Sequence, residues 1–319
     1  MDTIKVSVII PFYNEEQFIG QCLSALEAQD YPRELFEVIA VDNNSTDKST
    51  EIAKQFNVNV INQPIGTVGA VRNAGAKSAR GQYLAFIDAD CIVQPNWLSL
   101  AVNAMETENA TYGGGYSIRN SPYWIEKAWL LEPRVLPKEL LGGCIFIKKT
   151  VFFDISGFDE TITSGEDTKL SQTLRENNYD VKIISDLNII HLGNPVTLKH
   201  FFYRQVWHSE NYFQNWPDTI KDPTFYLLLM FILSTTSFIA CVLSRSSALA
   251  LIFLTITLII PTALTAKRLL RSENALENIT YLPAIYFLDL VYLVGRTAGL
   301  AKSLSRAVLG SLLSSPNHQ

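Results

Sequence analysis

The stretch YLAFIDADC, Tyr83 to Cys91, ends an apolar run in two carboxylates, Asp88 and Asp90, separated by one alanine. Hard oxygen ligands of this kind suit Mg2+ or Mn2+, which usually keep several waters and are completed by substrate phosphates. An irregular turn at a strand end can aim both side chains at one cation. A bare D-x-D also occurs as a capped turn with solvated acids, so the neighbours decide its weight. Arg72 and Lys77 lie in a segment that can fold beside the run and offer positive charge to a diphosphate. Asp42 ends an earlier apolar run and can accept from a nucleobase or ribose donor. Asp42 and Asp47 are equally good helix caps, and Arg72 can serve as a surface charge. Further on, Glu166 and Asp167 in "GED" open a helical segment that runs to Asn177. The helix dipole stabilises acids there, and one of them is a candidate general base across the pocket from the metal.

The elements that must position these groups alternate. KVSVIIPF, FEVIAVD, VNVIN and YLAFIDAD read as strands, the first two and the last of them as buried apolar runs. Between them, EQFIGQCLSALEAQ reads as a helix with Phe18, Cys22, Ala25 and Leu26 on one face. NNSTDKSTEIAKQF starts with helix-capping residues, and VGAVRNAGAKSA is a third helix. This order predicts a mainly parallel α/β sheet covered on both faces, with ligands at the carboxyl ends of the strands. Asn14, Asp42, Asp88 and Asp90 then converge at one edge.

The chain has 319 residues, 48% of them hydrophobic, and a formal net charge of -5. That is enough for a full core, and it gives no basic face for nucleic acid. Apolar content rises after Pro223. Thr224 to Leu243 and Ser247 to Ala266 hold no charged residue over roughly 20 positions each, the length of a bilayer core, and predict a transmembrane hairpin. Tyr281 to Ala301 is apolar but carries Asp289 and Arg296 on one helical face. It can span with that face turned to the hairpin, or lie in the interface. Met1 to Lys5 shows no secretory signal, and Lys267 to Arg271 form a basic cluster after the second span. The expectation is a multi-pass protein of the inner or plasma membrane with its catalytic region in the cytoplasm. Its parts are a cytosolic region 1–195, an aromatic and basic interfacial region 196–222, and a membrane region 223–319. The four cysteines show no metal-ligand spacing.

In order and spacing, VSVIIPFYNEE, VDNNSTDKST, VRNAGAKSARGQYLAFIDADC, GGCIFIKKTVF and GEDTKLSQTLRENNYD resemble the inverting family 2 glycosyltransferases over roughly residues 5 to 192. The resemblance implies the GT-A-type nucleotide-diphospho-sugar transferase fold, with a donor such as a UDP-sugar. It implies that Pro11 and Asn14 line the donor side, that Asp42 contacts the nucleobase and Arg72 the nucleotide, and that Asp88 and Asp90 hold nucleotide and metal. Asp167 is implied as the base, with Glu166 beside it, and Gly142 and Gly143 line the acceptor side. His191, after a late strand, is a weaker metal-ligand candidate, since a lone histidine there is more often structural. Asn43 stands where some members carry a second aspartate, which puts a second carboxylate contact in doubt. Arg204 and Trp207 only loosely resemble the processive Q-x-x-R-W motif, so the expectation is one sugar added at a time. The membrane hairpin suggests a lipid-linked or otherwise membrane-associated acceptor. The alternatives are an inactive membrane scaffold on the same fold, or an aspartate-nucleophile phosphohydrolase.

Overall fold

The computed structural model describes residues 4–131, 136–210, 212 and 216–313. The chain runs β1 (Val6–Phe12), α1 (Ile19–Glu27), β2 (Phe36–Asp42), α2 (Ser49–Ala53), β3 (Asn59–Asn62), α3 (Val68–Ser78), β4 (Tyr83–Phe86) and β5 (Cys91–Ile92). It continues through α4 (Trp97–Thr107), β6 (Thr111–Gly113), β7 (Tyr116–Ser117), α5 (Trp124–Trp129), β8 (Ile145–Lys148), α6 (Lys149–Asp154), α7 (Glu166–Glu176), β9 (Val181–Ile183) and β10 (Ile189–His191). Helices follow: α8 (Leu198–Ser209), α9 (Trp216–Thr219), α10 (Pro223–Leu243), α11 (Ser247–Arg271), α12 (Ala275–Asn278) and α13 (Leu282–Leu313). Two compact units result, Met1–Arg119 with Leu136–Gly193, and Asn120–Val135 with Asn194–Gln319. Helix α5 thus groups with the later helices although it lies within the 1–195 region of the sequence reading.

In the first unit the strand order is β3-β2-β1-β4-β8-β6-β9 among the described residues. β1 to β4 are mutually parallel, and β8 runs antiparallel to both β4 and β6. The expected mixed, mainly parallel sheet is present. Alternate residues of the strands enter two cores. Val6, Val8 and Ile10 pack with Cys22, Leu23 and Leu26 of α1 and Trp97 of α4, while Ile9, Leu84 and Phe86 pack with Val71 of α3 and Leu170 of α7. Burial on both faces explains why β1, β2 and β4 read as continuous apolar runs rather than alternating ones.

The arrangement at the carboxyl edge of the sheet follows from register. β4 is four residues long and leaves β1 after Phe86 pairs with Ile9, sooner than the sequence run to Asp90 suggested. Asp88 and Asp90 therefore sit in the turn beyond it. Pro11 lies in β1 past the point where β4 turns away, so its missing N–H removes no bond from a central strand. Because β8 is antiparallel to β4, with Phe86 opposite Ile145, the residues that precede β8, including Gly142 and Gly143, reach the same edge. A second sheet, β5-β10-β7, carries His191 opposite Cys91. α2 starts at Ser49, later than the Ser/Thr/Asp-rich run suggested. Asp42 accepts from Ser45 N and Thr50 Oγ1, and Asp47 accepts from Ser49 N, so the capping side chains close turns before the helix starts.

In the second unit α8 packs on α13 through Gly295 and Gly299, whose absent side chains let the backbones approach closely. A Cβ at Gly295 would stand 2.8 Å from that of Gln205. The aromatic and basic segment around α8 therefore packs within the helical unit. Among the described residues, three helices are long and apolar enough to cross a membrane: Pro223–Leu243, Ser247–Arg271 and Ala275–Arg306. The polar groups of α13 split. Asp289 is fully buried and accepts from Thr265 Oγ1 of α11 at 2.8 Å and from Arg268 Nη2 at 2.9 Å. Arg296 instead turns to α8, where it donates to the carbonyl of His208, and to the hydroxyl of Tyr212. One face of α13 thus serves two neighbours.

Asn73 on α3 ties down the segment that leads to α7. Its Nδ2 donates to Phe158 O and Glu160 Oε1, both at 2.9 Å, and its Oδ1 accepts from Phe158 N at 3.0 Å. Asn73→Ala leaves the Phe158 backbone groups without their partners in a buried position, and the expected loss is about 2–3 kcal/mol, read as a lower thermal midpoint in detergent.

Candidate active site

Arg72 is the centre of the site. It is 2% exposed on α3. Its Nη2 donates to Asp88 Oδ1 at 2.5 Å and its Nη1 to Glu166 Oε1 at 2.6 Å, so one guanidinium joins the turn after β4 to the first residue of α7. Burial alone would lower its pKa, but Asp88 and Glu166 outweigh that and raise it, so the cation is permanent. Phe158 lies beneath, 5.4 Å from the guanidinium carbon to the ring centre. Gly142 is held against this group: a Cβ there would stand 2.6 Å from Arg72 Nη2. Its amide donates to Asp167 Oδ2 at 2.9 Å, and Asp167 Oδ1 accepts from Thr168 N at 2.7 Å. These bonds orient the Asp167 carboxylate in the first turn of α7, where the helix dipole favours its charge.

Asp90 faces a different partner from Asp88. Its Oδ2 lies 3.3 Å from His191 Nε2, and Cys91 Sγ donates to its Oδ1 at 3.5 Å. Ligand atoms of Asp90, Cys91 and His191 lie within 4.8 Å of one another. Burial raises the pKa of Asp90, with Asp88 adding to the rise and His191 opposing it. Burial and the two carboxylates push the Cys91 thiol well up as well, so it stays protonated and is a poor ligand for a hard cation. The carboxylate and imidazole do suit one. Gly193 leaves the space that the Asp90 carboxylate occupies, since a Cβ there would collide with it. Tyr116 packs edge-on to His191 with ring centres 5.0 Å apart. Burial, then Asp88, Cys91, Asp90 and Asp167, raise the pKa of its hydroxyl, which therefore remains a donor.

Asp42 and Asn14 build the neighbouring loop. Asp42 is buried with both oxygens engaged, and Asn14, at φ 56°, accepts through Oδ1 from Thr46 N at 2.8 Å and Asp47 N at 3.3 Å. Asparagine tolerates this left-handed backbone better than most residues. The carboxamide thus shapes the 44–47 loop. Glu15 beside it has its pKa raised to about 7 by burial, then by the charges of Asp90, Asp88 and Asp47.

The structure thus groups Arg72 with Asp88 and Glu166, Asp167 with Gly142, Gly143 with Asp88, and Asp90 with His191. Gly143 Cα lies where a Cβ would be 3.2 Å from both Asp88 Oδ2 and Tyr116 Oη. Lys77 lies instead at the surface, 4.0 Å from Glu160. Sequence reasoning passed over Glu15 and Tyr116. The doubled acid in YNEE was the available signal for the first. For the second it was the triple glycine Gly113–Gly115, of which Gly114 and Gly115 pack on 187–188 just before Tyr116.

Glu15 gives a pH signature. Its folded pKa of about 7 lies above that of the unfolded chain, so the folded state holds a proton that the unfolded state releases, and stability falls as pH rises from about 4.5 to 7. Glu15→Gln in chelator-containing buffer is expected to be about 1–2 kcal/mol more stable than the parent at pH 8, after discounting for partial exposure, and nearly equal at pH 5. Thermal melts at the two pH values check this.

The family model for Glycosyl transferase family 2 matches residues 7–163. Among curated relatives, Glycosyltransferase AglE of Haloferax volcanii is 30% identical over 206 residues, which cover 60% of this chain and 67% of that protein. A poly(ribitol-phosphate) beta-glucosyltransferase of Bacillus spizizenii is 43% identical over 94 residues, 27% of this chain and only 15% of that one. Among solved structures, the mannosyltransferase PcManGT from Pyrobaculum calidifontis, in complex with GDP-Man and Mn2+, aligns with a TM-score of 0.56 at 18% identity, covering 95% of this chain and 88% of that one. That likeness concerns the fold, which matches the GT-A-type arrangement expected from the motifs. With the motifs, the sheet and the family match in agreement, the chain belongs to glycosyl transferase family 2.

Proposed function

We propose that this protein transfers a sugar, with inversion, from a nucleotide-diphosphate sugar to a membrane-associated acceptor. The observation that carries the proposal is the Arg72 bridge, which fixes the turn carrying Asp88 and Asp90 against the helix start carrying Asp167. Donor-side and acceptor-side groups are thereby held in one rigid constellation, as positioning catalysis requires. The edge formed by Pro11, Asn14 and Asp42 supports a nucleotide subsite. Glu166 spends its carboxylate on Arg72, which favours Asp167 as the base and Glu166 as a positioning residue.

In the proposed reaction the acceptor hydroxyl oxygen bonds to the anomeric carbon from the face opposite the diphosphate. Its proton passes to Asp167, and the bond from the anomeric carbon to the phosphate oxygen breaks, its electron pair leaving with the diphosphate. Attack opposite the leaving group inverts the centre. The site fits a divalent cation held by Asp90 and His191, with Asp88 nearby, which when bound supplies charge stabilisation for the leaving diphosphate. The Mn2+ and GDP-Man held by PcManGT support that reading by fold likeness. Gly142 and Gly143, packed against Arg72 and Asp88, stand on the acceptor side in this reading. The three long apolar helices support a membrane-held enzyme, and the basic end of α11 supports a cytoplasmic catalytic unit. We further propose the division into a transferase region followed by interfacial and membrane regions, and UDP as the first donor base to test.

Asp167→Asn is expected to lower kcat about 10²- to 10⁴-fold while leaving donor affinity near that of the parent. Asp90→Ala is expected to lose the metal-dependent thermal shift with a nucleotide diphosphate. A panel of nucleotide sugars with and without Mn2+, followed by single-turnover transfer, tests both. Donor binding without transfer to any membrane extract would favour the scaffold reading instead.

A further inference from the structure

The helical unit contains a cavity of about 290 Å³ at the end of the hairpin where the chain enters α10 and leaves α11. Its walls have two characters. Trp129, Leu264 and Tyr292 supply apolar surface, and Lys267, Arg268 and Arg271 supply three cations from the last turns of α11. Arg268 is already committed. It pairs with buried Asp289 and lies over the Trp129 ring at 3.7 Å, so it forms a fixed back wall. Lys267 and Arg271 are four residues apart on the same helical face and have no carboxylate partner among the described residues. The cavity therefore carries an uncompensated positive charge of two beside apolar and aromatic surface. It lies where an apolar helix long enough to span a bilayer gives way to basic residues, the depth at which lipid phosphates sit.

We propose that this cavity binds the phosphate headgroup of a membrane lipid, with Lys267 and Arg271 on the phosphate and Trp129, Leu264 and Tyr292 against the adjoining apolar part of the lipid. A free phosphate would gain nothing from the apolar wall, and a neutral lipid would leave the two cations without a counter-charge. Aromatic rings with an apolar body and a polar tip suit this boundary. The proposal stands on the helical unit alone and needs neither the donor site nor the transfer reading.

The test uses the full-length protein in neutral detergent, with thermal midpoints recorded against dioleoyl phosphatidic acid, dioleoylglycerol and inorganic phosphate. Phosphatidic acid is expected to stabilise saturably, and the other two are expected to have no comparable effect. The Lys267→Gln/Arg271→Gln double variant should bind phosphatidic acid roughly thirtyfold more weakly, whereas Lys267→Arg/Arg271→Lys, which keeps both charges, should bind as the parent does. Should the double glutamine variant fail to fold, Arg271→Gln alone, at an exposed position, carries the same comparison. Undiminished binding by the glutamine variants would overturn the proposal. So would an equal shift from inorganic phosphate, which would make the site one for free anions, or from dioleoylglycerol, which would make it merely apolar.

Discussion

A buried guanidinium must have its charge answered at close range, and in this protein that requirement fixes the site. Arg72 sits in the interior with Asp88 on one side and Glu166 on the other, residues 16 and 94 positions away in sequence. Breaking such a group by removing one partner costs about 3–5 kcal/mol, because the remaining charge is left in a medium that solvates it poorly. The turn after β4 and the start of α7 therefore cannot drift apart without a large penalty. Gly142 belongs to the same constraint, since only a glycine fits against the guanidinium while its amide holds Asp167.

That arrangement separates two carboxylates that adjacency in sequence would have paired. Asp88 is neutralised by Arg72, whereas Asp90 is left with His191 and a protonated thiol in a poorly solvated corner. Burial, with Asp88 adding to it and His191 opposing it, raises its pKa. Asp88 thus ties the turn after β4 to Arg72, while Asp90 pairs with His191 instead. The pKa of Glu15 is raised by burial first and then by the charges of Asp90, Asp88 and Asp47.

The helical unit answers its buried charge by the same logic. Asp289 lies fully buried on α13 and is satisfied by Thr265 and Arg268 of α11, so two apolar helices are locked in one register by a hydroxyl and an ion pair. Arg296 and the close Gly295–Gly299 approach fix α13 to α8 in turn. α5 joins this unit through Ile125 and Ala128, which pack with Phe201, Ile285 and Leu288. The first unit is therefore built from two stretches of chain, Met1–Arg119 and Leu136–Gly193.

Much of this was legible in the chain alone. The alternation of apolar runs and amphipathic segments determines a mainly parallel sheet, because strands buried on both faces must be apolar throughout. The position of Asp42, Asp88 and Asp90 at run ends determines that they gather at the carboxyl edge of the sheet. Lengths of about 20 uncharged residues determine the hairpin. Other features had no local signature. Which carboxylate meets Arg72 and which meets His191 depends on how β5 and β10 pair across about 100 residues, and pairing register is a long-range property. The late start of α2 was hidden because Asp, Ser and Thr serve equally as helix caps and as turn closers. That Asp289 and Arg296 share a helical face follows from their spacing. That the first answers α11 and the second α8 was decided only by packing, since periodicity gives a side chain's direction and not the identity of its neighbour.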